Sequence, residues 1–258
     1  MIPVLATTTN IVQLTPAPSF SFDGPSPVLQ NLHFWLNPRV GHTKDGSDLV
    51  SSWEDSSYHG DDALQGNINK RPKWYVSGSG QNPSFINQSF IEFDGADDVL
   101  SAVLTKRITG SAHTFGIVYS ELLPNDTFDG LYSEFAGGVD FQGPAQFVIT
   151  TTGSFATQRF EHNSIITPLT GMTQGTAHIL IGTFSGEVVK LYVDQATPAQ
   201  AEFSSSTDFN VGTIILAGRA GTPGKCQFSE VVVYGKELNN SERTDLFNYL
   251  VASISGTL

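Results

Sequence analysis

From Leu32 onward the chain is built of short segments, alternating or wholly apolar, that Gly, Pro, Asn or Asp interrupt about every 8 to 12 residues. A helix needs a 3.6-residue period sustained over several turns, whereas a strand needs only alternation over a few residues, so this rhythm selects β structure. In the segment around residue 115, Phe115, Ile117 and Tyr119 share one face of a strand, and Thr114, Gly116 and Val118 share the other. The same alternation places Phe147 with Ile149, Ile179 with Ile181, and Val189 with Leu191 and Val193. Both faces of several strands are apolar.

A chain of 258 residues is long enough for one large sandwich. Twenty-five Gly, 13 Pro and only 15% charged residues fit a turn-rich β protein better than a bundle. The net charge of −12 opposes attraction to phosphate backbones and anionic lipid, so neither nucleic-acid binding nor membrane insertion is expected. No apolar run approaches the roughly 18 residues of a spanning helix. The first basic residue is Arg39, which removes the charged start of a secretion signal and leaves a cytoplasmic product as the expectation. Cys226 is the single cysteine, read as a small buried hydrophobe.

Residues 1–29 differ in kind. Pro3, Pro16, Pro18, Pro25 and Pro27 stand among Thr7, Thr8 and Thr9, and each Pro removes a backbone donor and biases its predecessor towards extended geometry. The stretch reads as an extended arm preceding a domain of residues 30–258. Ile11, Val12, Leu14, Phe20 and Phe22 give it apolar side chains that a solvated linker does not need, so it either docks on a neighbouring surface or forms a first strand over its own domain.

One short helix is expected near the end. Asn239, followed three residues later by Glu242, is a capping-box pair, and Leu246, Phe247, Leu250 and Val251 recur behind it at helical spacing over about three turns.

Four stretches carry a family resemblance: LHFWLNP (32–38); WEDSSYHGDDAL (53–64) with RPKWYV (71–76); IEFDGADDVL (91–100); and FSEVVVYGKELNNSERTDLFNYL (228–250). In this order they resemble the LamG-like, concanavalin A-like jelly rolls of bacterial surface proteins and phage structural proteins. The resemblance implies an all-β, two-sheet antiparallel jelly-roll sandwich with one C-terminal helix behind the N-terminal arm. It says little about function, because this fold hosts lectins, glycosidases and virion proteins alike.

Candidate chemistry is sparse. Glycosidases set two carboxylates across a cleft, and the nearest approach to that is Glu92 with Asp94 on one strand face, immediately before the chain-breaking Gly95. Asp94, Asp97 and Asp98 are candidate ligands for Ca²⁺, a hard cation that takes six to eight oxygens; the competing reading is a turn in which Asp97 and Asp98 bond backbone groups. GRAGTPGKC (218–226) imitates a phosphate loop at the wrong spacing and is read as a hairpin loop. His33, His42, His59, His113, His162 and His178 are scattered, and Trp35, Trp53 and Trp74 are read as core rather than sugar platforms.

No catalytic set is visible, so the expectation is a protein that is not an enzyme. Two functions compete. The first is a virion structural component, a phage capsid-decoration or tail protein, docking through its arm on capsid or tail subunits and oligomeric in that assembly. The second is a carbohydrate-binding adhesion module for host surface glycans; a glycoside hydrolase ranks third.

Overall fold

A computed structural model describes residues 31–37, 39, 41–77, 85, 87–110, 112–123, 130–135, 148–151, 157–162, 165–170, 175–186, 188–195, 197–202, 209–218 and 223–255. The proposed arm residues Ile11, Val12, Leu14, Phe20 and Phe22 lie outside these, as does Phe147. In chain order the strands are β1 (Leu32–Leu36), β2 (His42–Lys44), β3 (Val50–Trp53), β4 (Ala63–Leu64), β5 (Lys73–Tyr75), β6 (Phe90–Asp94), β7 (Leu100–Gly110), β8 (His113–Leu123), β9 (Gly130–Phe135), β10 (Val148–Thr151), β11 (Thr157–His162), β12 (Ile165–Thr170), β13 (His178–Phe184), β14 (Val188–Val193), β15 (Ala199–Glu202), β16 (Phe209–Leu216) and β17 (Lys225–Tyr234). Helix α1 (Asn240–Ser255) follows.

The strands form two antiparallel sheets. One runs β15-β14-β13-β8-β17-β6-β5, with β1 also on β17; the other runs β12-β11-β10-β9-β16-β7-β4-β3-β2. Strand β17 is long enough to share one edge between two partners, β6 along residues 225–228 and β1 along residues 231–234. The all-β two-sheet sandwich with a C-terminal helix agrees with the reading of the sequence.

Alternation accounts for the layers. Phe115, Ile117 and Tyr119 of β8, with Leu180 and Phe184 of β13, enter the core between the sheets, where Phe34, Trp53 and Tyr132 also lie. Val118, Ile179 and Ile181 turn the other way and pack with Leu246 and Leu250 of α1. Gly116 lets the helix approach this far, since a Cβ there would come within 3.1 Å of the Leu246 side chain. Gly182 faces the core, where a Cβ would sit 2.3 Å from the Phe115 ring that lies over it.

Strand β17 does not alternate strictly. Cys226 and Phe228 point into the inter-sheet core, but so do Val231 and Val233, and a bulge between Phe228 and Glu230 in the β8 pairing supplies the extra residue that reverses the faces. Glu230 and Val232 thereby turn toward the helix layer.

Two expectations need correction. GRAGTPGKC is not a hairpin loop: β16 pairs with β7 and β9, β17 with β1, β6 and β8, so the segment carries the chain from one sheet to the other. The helix has 16 residues rather than about three turns, and its buried side chains are Leu246, Tyr249, Leu250 and Ser253, while Val251 is 41% exposed. The capping box is as expected: Glu242 N donates to Asn239 Oδ1 (3.1 Å), and Asn239 N donates to Glu242 Oε2 (3.0 Å). Among the described residues no helix is long and apolar enough to cross a membrane.

Candidate functional site

The interior offers no ligand cavity where Ile117, Tyr119, Leu131, Tyr132, Leu180 and Phe228 meet, because the space among them does not admit water. Among the described residues, the turn joining β6 to β7 brings together three carboxylates that could hold a metal ion. Strand β6 alternates: Ile91 and Phe93 enter the core, leaving Glu92 and Asp94 on the opposite face, as their spacing predicts. Gly95 takes φ +76°, a left-handed conformation that ends the strand.

Asp94 then organises its own turn. Its Oδ1 accepts from the amides of Ala96 (2.7 Å) and Asp97 (3.4 Å), while Asp98 Oδ2 accepts from Asp94 N (3.0 Å). The expected backbone-bonding role thus falls to Asp94 and Asp98, and Asp97 contributes its amide. The turn is braced from outside, since Gln65 Nε2 donates to Val99 O (3.0 Å) and Val99 N donates to Lys70 O (3.2 Å).

The carboxylates of Asp94, Asp97 and Asp98 offer one oxygen each, all within 4.8 Å of one another. Asp94 and Asp97 are exposed, whereas Asp98 is 8% exposed. Burial, followed by the charges of Asp94, Asp97 and Glu92, pushes the Asp98 carboxyl up to about 7, against the pull of its bond to the Asp94 amide. Three hard oxygens on one exposed turn can coordinate a divalent cation such as calcium, with most of its six to eight positions left to water or to a ligand.

The surroundings of the turn were not legible in the sequence. Across neighbouring strands Lys73, Glu92 and Gln227 stand in one row, with Glu92 Oε2 accepting from Gln227 Nε2 at 2.7 Å. One step along β5, half-buried Tyr75 stacks on Phe90 (5.1 Å between ring centres), and Lys73 Nζ lies 5.4 Å from the Tyr75 ring centre. The row assembles only through strand register, so no local motif announces it.

The other candidates fall into structural places. Trp53 is wholly buried and Trp35 packs against Tyr249 of the helix, as expected of core residues. Trp74 is only half-buried, stacked on His42 at 4.5 Å with Lys44 Nζ 3.8 Å over its ring, where the edge strands β2 and β5 meet. Cys226 is buried, as expected. His113 and Glu134, both wholly buried, join the two sheets at 2.9 Å, with Tyr132 OH donating to the same carboxylate (2.7 Å). His33 and His59, treated as scattered, lie with ring centres 5.2 Å apart.

Comparison with known proteins locates the architecture. No protein-family model and no curated protein matches the chain. Among solved structures, a Trypanosoma rangeli sialidase in complex with 2,3-difluoro-KDN is similar over 91% of this chain and 35% of its own, with TM-score 0.60 and 18% identity. The botulinum neurotoxin serotype D ligand-binding domain in complex with N-acetylneuraminic acid is similar over 86% of this chain and 52% of its own (TM-score 0.56, 9% identity). The receptor-binding domain of the botulinum neurotoxin C/D mosaic gives 87% and 52% (TM-score 0.57, 10% identity). The chain has a lectin-like β-sandwich fold. At these identities the likeness establishes the fold alone, and the chain spans about a third of the sialidases and about half of the toxin domains.

These findings overturn three expectations. The virion reading, with capsid or tail subunits as partners, is not sustained, because the folds found are those of sialidases and toxin binding domains rather than phage structural proteins. The expectation of a non-enzyme is not sustained either, since the fold recurs within chains of sialidases.

Proposed function

We propose that the chain is a carbohydrate-binding module of the LamG-type, concanavalin A-like class, with its ligand held at the β6–β7 turn through a calcium ion on Asp94, Asp97 and Asp98. The observation that carries this reading is the convergence of three carboxylate oxygens within 4.8 Å on an exposed turn. A divalent ion there offsets the negative charge of the turn and accepts hydroxyl or carboxylate oxygens of a sugar, which a protein of net charge −12 otherwise repels when the sugar is acidic. Tyr75 offers a ring edge for the apolar side of a saccharide, and the Lys73–Glu92–Gln227 row offers donors and acceptors for its hydroxyls.

Sialylated glycans are the first class to test, since one of the similar toxin domains is described in complex with N-acetylneuraminic acid. The experiment is a glycan array probed in calcium and in EDTA with the full chain and with the Asp94→Asn/Asp97→Asn variant. The expected result is binding that needs calcium and is lost in the variant. Silence across the array in calcium, or binding that ignores both EDTA and the substitutions, contradicts the proposal.

A further inference from the structure

Among the described residues no helix covers the outer face of the sheet that holds β7, since α1 packs on the other sheet against Val118, Ile179 and Ile181. On the open face, strand register sets Ser52, Leu64, Ser101 and Ile215 in one row across β3, β4, β7 and β16, with Val103 beside Thr213 in a neighbouring row. These side chains point outward because the residues that alternate with them, among them Trp53, Ala63, Ala102, Leu104 and Ile214, lie in the core. The face is uncharged and partly apolar: Leu64 is 53% exposed and Val103 71%, with Ile215 half-buried. Aliphatic groups exposed together on one face gain free energy from a cover. We propose that the chain preceding Asn31 lies back across this face, with Ile11, Val12 and Leu14 covering Leu64, Val103 and Ile215.

Charge selects this occupant. Residues 1–22 contain no Asp, Glu, Lys, Arg or His, in a chain that has 25 acidic and 13 basic residues. An uncharged segment on an uncharged face takes no charge out of water, so the gain from covering the aliphatic groups is not spent on desolvating ions.

The place where the segment joins the sandwich selects it too. Asn31 O accepts from Gly235 N at 2.9 Å, and His33, two residues on, is bonded through its ring to the backbone of Lys106. Lys106 stands three residues along β7 from Val103, so the segment departs at the rim of the open face. Its reach is ample. The stretch from Leu14 to Asn31 can extend to roughly 55 Å at about 3.3 Å per residue, whereas the four strands of the row span about 15 Å at about 4.8 Å spacing.

Pro3, Pro16 and Pro18 favour lying across a face over adding a regular strand at an edge, because each lacks a backbone N–H for the ladder. The remaining backbone groups of an extended segment need partners once water is excluded. Ser52, Ser101 and Thr213, all half-buried on the face, carry hydroxyls that both donate and accept.

The test is paramagnetic relaxation in the ¹⁵N-labelled full chain carrying a nitroxide at Ser52→Cys; Cys226, the single cysteine of the sequence, is buried and does not compete for the label. The expected result is selective loss of the amide signals of residues 11–22, restored when the nitroxide is reduced. The same loss is expected to vanish in Leu64→Asp/Val103→Asp and, should that variant not fold by circular dichroism, in Ile11→Asp/Leu14→Asp, which leaves the sandwich untouched. A second sample mixes nitroxide-bearing chain at natural isotope abundance with ¹⁵N-labelled chain lacking the nitroxide, and no loss is expected there. Undiminished signals of residues 11–22 in the spin-labelled chain, loss that survives the substitutions, or loss in the mixed sample, which would place a second copy on the face, overturns the proposal. None of these outcomes bears on the calcium-dependent sugar reading, which rests on other residues.

Discussion

Glu230 carries the densest polar bonding beneath the helix. Wholly buried on β17, it accepts from Trp35 Nε1 (2.8 Å), Tyr249 OH (2.6 Å) and Ser253 Oγ (2.5 Å), and so ties β1 and α1 to the central strand of its sheet. Gln88 Nε2 extends the network to Ser253 Oγ at 3.0 Å. Burial raises the Glu230 carboxyl above its ordinary value, and the three donors pull it back down. A hydrogen bond to a charged acceptor contributes about 1.5–3 kcal/mol, so Tyr249→Phe is expected to lower unfolding stability by about that much in urea titration. A loss below about 0.5 kcal/mol, the scatter of ordinary surface substitutions, would show that the network contributes little.

Asp98 sets a pH dependence at the same scale. Its carboxyl rises from 3.8 to about 7 in the folded state, so the folded chain prefers the neutral form. The resulting stabilisation is complete below about pH 4 and is lost as the pH climbs towards about 7, where the buried group must ionise. In metal-free buffer, Asp98→Asn is expected to flatten the fall in melting temperature across this window while keeping an oxygen for the Asp94 amide. Parallel curves for the two proteins would contradict the burial argument.

Among the elements, α1 shows which parts of the fold local sequence can reveal. Its start was legible because the Asn239–Glu242 box is complete within four residues and acts only on its own backbone. Its buried stripe was not, since hydrophobicity alone selects Phe247 and Val251, whereas the Glu230 carboxylate draws the hydroxyls of Tyr249 and Ser253 to the sheet and turns Val251 outward. Leu250→Ala, at a position with no exposure, is expected to cost about 2–5 kcal/mol, whereas Val251→Ala is expected to stay within about 0.5 kcal/mol. Equal losses by chemical denaturation would refute this orientation. The bulge in β17 escaped notice for a related reason: an apolar run such as Val231–Val232–Val233 looks alike in either register, and only the Glu230 network and the core fix which valine faces which layer.

At the scale of the molecule, the two-sheet sandwich was readable because strands such as β6, β7 and β8 repeat the same alternation, so single misreadings do not change the sum. The candidate site was half readable. Asp94, Asp97 and Asp98 meet because they lie within one turn, but Lys73 and Gln227 reach Glu92 only through the pairing of β5, β6 and β17. Function was least readable, since a fold shared with sialidases and toxin binding domains does not by itself fix a ligand. Amide chemical-shift mapping of the full chain, first with CaCl₂ and then with a sialylated saccharide, tests that assignment directly. The expected result is a first set of shifts confined to Asp94–Asp98 and its neighbours, and a second set spreading to Lys73, Tyr75, Glu92 and Gln227 only when calcium is present. Shifts centred elsewhere on the sandwich, or saccharide shifts that persist in EDTA, would contradict it.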